Sequence, residues 1–239
     1  MADFLRAKSG RDWSDTDLQS YRILLRSVPN AEEFFEVSPL PASSVRSELL
    51  TLTIPSDATD SVVYQILRYM ELARFSDRET HVDLFSSALL EDLGYLSRSS
   101  IVVRGFIQPL VVCGENKRAK IDVGIMNDDG FSLLVHKTTS NPANPVAQLM
   151  VQAIATLQNL NTTLERSGRA TLRSKLIPAI VMRGTKPTFF KIPVTVELAM
   201  AVVNIPLRTR IPVEHEGMWP PQNRAIILSC YEAFKKFHN

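Results

Sequence analysis

The most constraining feature of this sequence is a strong turn signal between two apolar segments. Residues 119–126 form an apolar run with a single acid, Asp122, and residues 131–137 form a second run that ends in charge. The turn, residues 127–130, reads Asn-Asp-Asp-Gly, and Asp-Gly tolerates the positive φ angles of tight hairpins. The pattern predicts a β-hairpin in which Asp122 and Lys137 meet at one edge.

Helices are predicted on both sides of this hairpin in the sequence. Residues 145–158 have the composition of a buried helix, and a proline stands in the first turn, where no backbone donor is lost. Upstream, residues 80–96 predict a helix and residues 101–113 predict a β-strand. Residues 176–182 add another strand, so the predicted order is helix, three strands, helix and strand.

A second hairpin is predicted further along the chain. Residues 176–182 and 188–194 are rich in β-forming residues and are separated by a turn. Prolines in the second of these strands favour a position at the edge of the sheet, because proline cannot donate to a neighbouring strand. A helix capped by Thr195 is predicted over residues 196–204.

The segments that flank the core are predicted to be helical or irregular. Residues 1–78 contain several helical patterns, the first of them capped by Ser14. Residues 201–239 begin irregularly and close with an amphipathic helix over 222–237. We therefore predict one domain with a helical N-terminal part, a core over residues 79–200 and a C-terminal segment.

Composition excludes several classes of protein. The 239 residues are 45% hydrophobic and 22% charged, and the formal net charge of +2 gives no general affinity for nucleic acid. Two cysteines, Cys113 and Cys230, indicate a reducing compartment, and neither zinc-ligand spacing nor a Gly-rich phosphate loop is present. The charged N-terminus does not resemble a signal peptide, and no apolar run approaches the roughly 18 residues that span a membrane. An intracellular location, cytoplasmic or nuclear, is expected.

The hairpin and the helix after it resemble the core of the PD-(D/E)XK nuclease superfamily. In that fold an acid on the second core strand and an acid-x-Lys motif on the third bind a divalent metal and activate water. Ile121-Asp122 stands for the first motif and Val135-His136-Lys137 for the second. The resemblance implies a restriction endonuclease-like α/β core of order α-β-β-β-α-β, with an N-terminal helical extension and C-terminal helices.

Two further segments resemble fungal (basidiomycete) proteins that contain this nuclease-like domain. They are residues 11–35, which begin Arg-Asp-Trp and end Phe-Phe, and residues 180–190. With them, the resemblance extends over most of the chain.

The resemblance implies a site for Mg²⁺ or Mn²⁺. Asp122 and Glu91 are the implied ligands, because the first core helix of the family often carries a glutamate that reaches the metal. Asp83 and Asp92 on the same helix are the alternatives. Lys137 would orient the nucleophile or stabilise developing negative charge.

The implied site also has a defect. Val135 stands where the family has its second carboxylate, and valine cannot bind a metal. His136 is expected on the opposite strand face from Lys137. Gln148 and Gln152 match the glutamine-bearing helix of the family, and Gln148 is taken as the site residue. Metal-dependent phosphodiester hydrolysis is therefore expected to be weak or lost.

Two groups of basic residues are candidates for binding nucleic acid through its phosphates. They are Lys117, Arg118 and Lys120 before the hairpin strand, and Arg169, Arg173 and Lys175 after the second core helix. Two hypotheses remain open: a metal-dependent nuclease, or an inactive nuclease-like module that binds DNA, RNA or a protein partner. A plain α/β protein that shares only the fold is a third reading.

Overall fold

A computed structural model of the chain describes residues 7–21, 23–75, 78–138, 145–199, 205–212, 217–218 and 221–238. Within these residues the fold is mixed α/β, as predicted. The helices are α1 (Asp15–Ser20), α2 (Ala31–Phe35), α3 (Ser47–Thr51), α4 (Ser61–Phe75), α5 (Glu79–Asp92), α6 (Pro145–Arg166), α7 (Val196–Ala199) and α8 (Pro221–His238). The strands are β1 (Ile23–Arg26), β2 (Ile101–Val112), β3 (Glu115–Asn127), β4 (Gly130–Thr138), β5 (Ser174–Arg183), β6 (Lys186–Thr195) and β7 (Ile205–Pro212).

The strands form one mixed sheet in the order β1-β7-β6-β5-β4-β3-β2. The β2–β3, β3–β4, β5–β6 and β6–β7 pairs are antiparallel. The β4–β5 and β1–β7 pairs are parallel. Between β4 and β5 the chain passes through α6, which is the crossover that a parallel pair requires.

Two apolar clusters cover the two faces of the sheet. One packs α4, α5 and α8 against β3 to β6, and Phe85, Val135 and Phe234 lie within it. The other packs α6 against β2 to β6 and contains Leu134 and Leu157. Adjacent residues of β4 therefore face opposite helical layers, because successive side chains in a strand alternate.

The alternation is broken at Asp122. Ile121 packs in the cluster on the α6 side, whereas Val123 packs in the cluster on the α5 side, so residues two apart face opposite ways. Gly105 on β2 lies opposite Asp122, because the residues on either side of Gly105 pair with Val123 and Ile121. The φ angle of Gly105 is +62°. The β2–β3 register is the same on both sides of this point. The local change of face sets the direction of the Asp122 side chain.

The flanking segments contain two strands that the sequence did not indicate. β1 lies in the N-terminal part that was predicted to be helical, and β7 lies in the C-terminal segment that was predicted to be irregular. They pair with each other over four residues, and β7 also pairs with β6. β6 is therefore not an edge strand. Its prolines, Pro187 and Pro193, lie outside the residues paired with β7, where a missing donor is tolerated.

No helix among the described residues is both long and apolar enough to cross a membrane.

Candidate functional site

The Asp122 carboxylate is bound to a histidine on the neighbouring strand. Oδ2 of Asp122 lies 2.9 Å from Nδ1 of His136, and both side chains are about nine-tenths buried. The same oxygen accepts a longer hydrogen bond, 3.4 Å, from the backbone N–H of Lys137. The Asp122 carboxylate can only accept, so it receives a hydrogen bond from the imidazole when Nδ1 carries the proton. This contact lies on the α6 side of the sheet.

The Lys137 ammonium group lies on the other side of the sheet and binds α5. Its Nζ donates to Oδ2 of Asp83 at 2.5 Å, and Glu79 lies further away at 3.7 Å. The Lys137 and Asp83 side chains are both largely buried. The contacts of His136 and Lys137 confirm that the two side chains face opposite helical layers. They also show that Asp122 meets only the backbone of Lys137.

The two buried carboxylates have opposite pKa shifts. Burial acts to raise the pKa of Asp122, but the hydrogen bond and charge of His136, helped by Lys137, outweigh it and lower the pKa. Burial raises the pKa of Asp83 despite its bond to Lys137, and the charges of Asp122 and Glu79 add to the rise. The charge of Asp122 therefore contributes to the raised pKa of Asp83 across the sheet.

Gln152 of α6 closes the α6 side of the site. Its Nε2 donates to the backbone oxygen of Lys120 at 2.7 Å and lies 3.1 Å from Nδ1 of His136. Its Oε1 is buried and has no hydrogen-bond partner among the described residues. Gln152 therefore fixes the position of β3 beside Asp122 and packs against the imidazole ring.

Two residues predicted for the site lie away from these contacts. Glu91 is exposed near the end of α5, eight residues beyond Asp83 and about 12 Å further along the helix axis. The acid of α5 that contacts Lys137 is Asp83, since it lies near the start of the helix. Gln148 contacts the backbone oxygen of Arg11 at 3.5 Å and so faces the N-terminal segment, one turn before Gln152.

Asp92, the other alternative on α5, is buried and bound to Arg46. Val135 packs in the apolar cluster under α5 and is 2% exposed. It shares a strand face with Lys137, as the acid-x-Lys pattern requires, but it supplies only apolar surface there.

The donor set does not fit Mg²⁺ or Mn²⁺, which bind several oxygen ligands in near-octahedral geometry. The site offers Asp83 and Asp122, each already bound to a cationic or histidine side chain, and Glu79, whose carboxylate lies 3.7 Å from Lys137. Within the described ranges, no group of three or more His, Cys, Asp and Glu side chains is arranged to hold a metal ion.

The six predicted basic residues are divided between the two ends of the sheet. Lys117, Arg118 and Lys120 lie on β3 beside Asp122, and Arg118 and Lys120 are exposed. The other three lie at the end where β3 turns into β4, since Arg169 binds Asp129 at 2.8 Å and Lys175 contacts the Phe131 oxygen. The two ends of β4 are about 27 Å apart. The two groups therefore form separate surfaces.

The sequence analysis named Asp83 only as an alternative metal ligand and did not include His136 in the site. Glu79 and Asp83 are four residues apart and so lie on one face of α5, which is a usable signal for an acidic helix face near the lysine. His136 was set aside because of strand alternation, and that rule holds on β4. It fails on β3, where the change of face turns Asp122 towards the histidine.

The sequence matches no family model, and no curated protein is significantly similar to it.

Proposed function

We propose that this chain has a PD-(D/E)XK-like core that has lost metal-dependent hydrolysis and that it binds nucleic-acid backbone without cleaving it. The element order from α5 to β5 supports such a core: a helix, three antiparallel strands, a crossover helix and a parallel strand. Asp122 lies in the middle of β3, and Lys137 lies near the end of the neighbouring strand β4.

The observation that carries the loss of hydrolysis is the pairing of every charged group at the site. Lys137 is bound to Asp83, and Asp122 is bound to His136. A nuclease of this type needs carboxylates that are free to hold a metal and a lysine directed at the reacting phosphate. Here each carboxylate is bound to another side chain, and Val135 supplies no third acid.

The binding part of the proposal rests on the basic residues of β3. Arg118 and Lys120 are exposed beside Asp122, and Lys117 is partly engaged with Glu115 at 2.9 Å. Exposed cations of this kind bind phosphates by releasing counterions, without reading sequence. Asp122 is buried, and its carboxylate is directed at His136 and not at these exposed side chains.

Hydrolysis is tested with plasmid, single-stranded DNA and RNA in the presence of Mg²⁺ or Mn²⁺. The wild type, Asp122→Ala and Lys137→Ala are expected to show the same background cleavage. Cleavage by the wild type that disappears in both variants would refute the loss of activity and would direct attention to Asp83 as the second carboxylate.

The missing acid is tested by Mn²⁺ titration of Val135→Glu, with Val135→Gln as the matched uncharged control. Only the glutamate variant is expected to gain affinity for Mn²⁺.

Binding is tested by fluorescence anisotropy with labelled single- and double-stranded oligonucleotides over a range of salt. The double variant Arg118→Gln/Lys120→Gln is expected to bind more weakly and to show a salt slope shallower by about two. The exposed Arg98, which lies between α5 and β2, provides a control as Arg98→Gln. Equal binding by both variants, or no binding by the wild type, would contradict this function and favour a protein partner.

A further inference from the structure

Two adjoining cavities lie on the α6 side of the sheet and extend to the β3–β4 turn. The first, about 330 Å³, lies between β2, the β3–β4 turn and α6. The second, about 490 Å³, lies between the turn, α6 and the segment that leads into β5. Asp129 and Leu160 line both cavities, so the two form one groove along the C-terminal half of α6. This size is typical of small-molecule sites.

The first cavity has an aromatic wall. Phe106 and Phe131 make an edge-to-face contact with their ring centroids 5.3 Å apart, and Phe106 is 38% exposed. Met126 and Leu160 also line the cavity. An exposed aromatic ring beside apolar side chains is suited to a planar ring, which can pack against it on one side.

Polar groups with unused hydrogen-bonding capacity surround this aromatic wall. Asn159 uses its amide nitrogen for the backbone oxygens of Pro109 and Ala155, both at 2.7 Å, which leaves its amide oxygen as an acceptor. Asp128 in the turn is exposed and adds a carboxylate. Acceptors therefore predominate, and they match a ring that carries an amino group.

The second cavity contains the cations. Lys175 is partly buried, and its ammonium group makes one long contact, 3.4 Å, with the Phe131 oxygen. Burial lowers the pKa of Lys175, although the charge of Asp129 opposes the effect. Arg169 lines the same cavity and binds Asp129 at 2.8 Å. Two cations and one carboxylate leave a net positive charge, with the lysine outside ion-pair distance of any described carboxylate.

One cavity is aromatic and rich in hydrogen-bond acceptors, and the other is cationic. We infer that the groove binds a nucleotide whose base carries an amino group. The base would pack against Phe106 with its amino group towards Asp128 and Asn159. The phosphate would lie against Lys175 and Arg169, where it would replace the long carbonyl contact of the lysine with a charge-assisted one. A free nucleotide and the terminal nucleotide of a strand share this chemistry. The inference does not depend on the proposed function, since the cations that would hold the phosphate, Lys175 and Arg169, are not the cations of β3.

The test is calorimetric titration of the full chain with adenosine monophosphate, adenosine and uridine monophosphate. Adenosine monophosphate is expected to bind at one site. Adenosine, which lacks the phosphate, and Lys175→Gln are each expected to lose about tenfold or more in affinity. Uridine monophosphate, which lacks the amino group, is expected to bind more weakly. Lys236→Gln, which removes one exposed charge on α8 at the opposite face of the sheet, is the matched control and should bind like the wild type.

A gain-of-affinity variant separates binding from folding. Asp129→Asn removes the carboxylate that competes for Arg169, so it is expected to bind adenosine monophosphate more tightly; unfolding could not produce such a gain. Equal affinity for adenosine and its monophosphate, no loss in Lys175→Gln, or an equal loss in Lys236→Gln would overturn the inference. A short oligonucleotide with and without a terminal 5′-phosphate then identifies the source: a strand end if the phosphorylated form binds more tightly than the mononucleotide, and a free nucleotide otherwise.

Discussion

The two faces of β4 carry two buried acid–base pairs that behave differently. On the α6 side, Asp122 accepts from His136 and from the Lys137 backbone, and its pKa is lowered. On the α5 side, Asp83 accepts only from the Lys137 ammonium group, its Oδ1 is buried without a partner, and its pKa is raised. Burial is similar in the two cases. The number of hydrogen-bond donors and the nearby acids therefore decide which carboxylate has the lower pKa.

The largest effect is expected from breaking the pair on the α5 side. Lys137→Met leaves Asp83 buried without its only donor, and we expect a loss of about 3 kcal/mol in the free energy of unfolding at neutral pH. The double variant Lys137→Met/Asp83→Asn should recover much of this loss, because the amide carries no charge to be buried. Urea denaturation measures both. A single variant as stable as the wild type would show that Asp83 is already protonated in the native state.

A smaller loss is expected on the α6 side. Asp122→Asn keeps the shape of the side chain but removes the acceptor charge for His136, and it should cost about 2 kcal/mol at neutral pH. Asp128→Asn is the matched control, because Asp128 is an exposed acid of the same hairpin and should change stability little. If the two substitutions have equal effects in urea denaturation, the Asp122–His136 contact does not stabilise the fold.

The opposite pKa shifts predict opposite dependences on pH. The lowered pKa of Asp122 means that its contribution is present above the unfolded value, 3.8, and is lost as the pH falls through the folded pKa. The stability difference between wild type and Asp122→Asn should therefore shrink in acid. For Asp83 the folded state holds its proton to higher pH than the unfolded state, so the wild type should lose stability relative to Asp83→Asn as the pH rises above 3.8. Denaturation curves from acidic to neutral pH measure how each stability difference changes with pH. Changes of the same sign for Asp122→Asn and Asp83→Asn would contradict the opposite pKa shifts.

The smallest effect is expected at an exposed pair in the same sheet. Arg169 and Asp129 are 2.8 Å apart, but both side chains are more than half exposed. Arg169→Gln should cost less than about 1 kcal/mol, and 1 M salt should remove most of the difference. A loss as large as that of Lys137→Met would mean that burial does not distinguish these pairs.

Much of the secondary structure could be predicted because it is encoded locally. The Asp-Gly turn gave the β3–β4 hairpin, the long apolar pattern gave α6, and the capping box at Ser14 gave the start of α1. β1 and β7 could not be predicted, since each is short. β1 acquires its hydrogen bonds from a partner about 180 residues away in the chain, and β7 depends on that strand and on β6.

The candidate site was only partly predictable for the same reason. The sequence placed Asp122 and Lys137 on neighbouring strands and showed that Val135 cannot bind a metal. It could not show that Gly105, on another strand, accompanies a change of face at Asp122. Nor could it show that the start of α5, rather than its end, lies over Lys137.

By itself, the sequence determined the order of elements in the core, the hairpin that carries Asp122 and Lys137, and the absence of a second strand carboxylate. Only the tertiary structure decided the partners of each charge, because these depend on which helix covers which face of β4. Alternation along a strand fixes the side to which a side chain points. Whether it meets Asp83, His136 or an apolar layer there is settled by packing between elements that are distant in the chain.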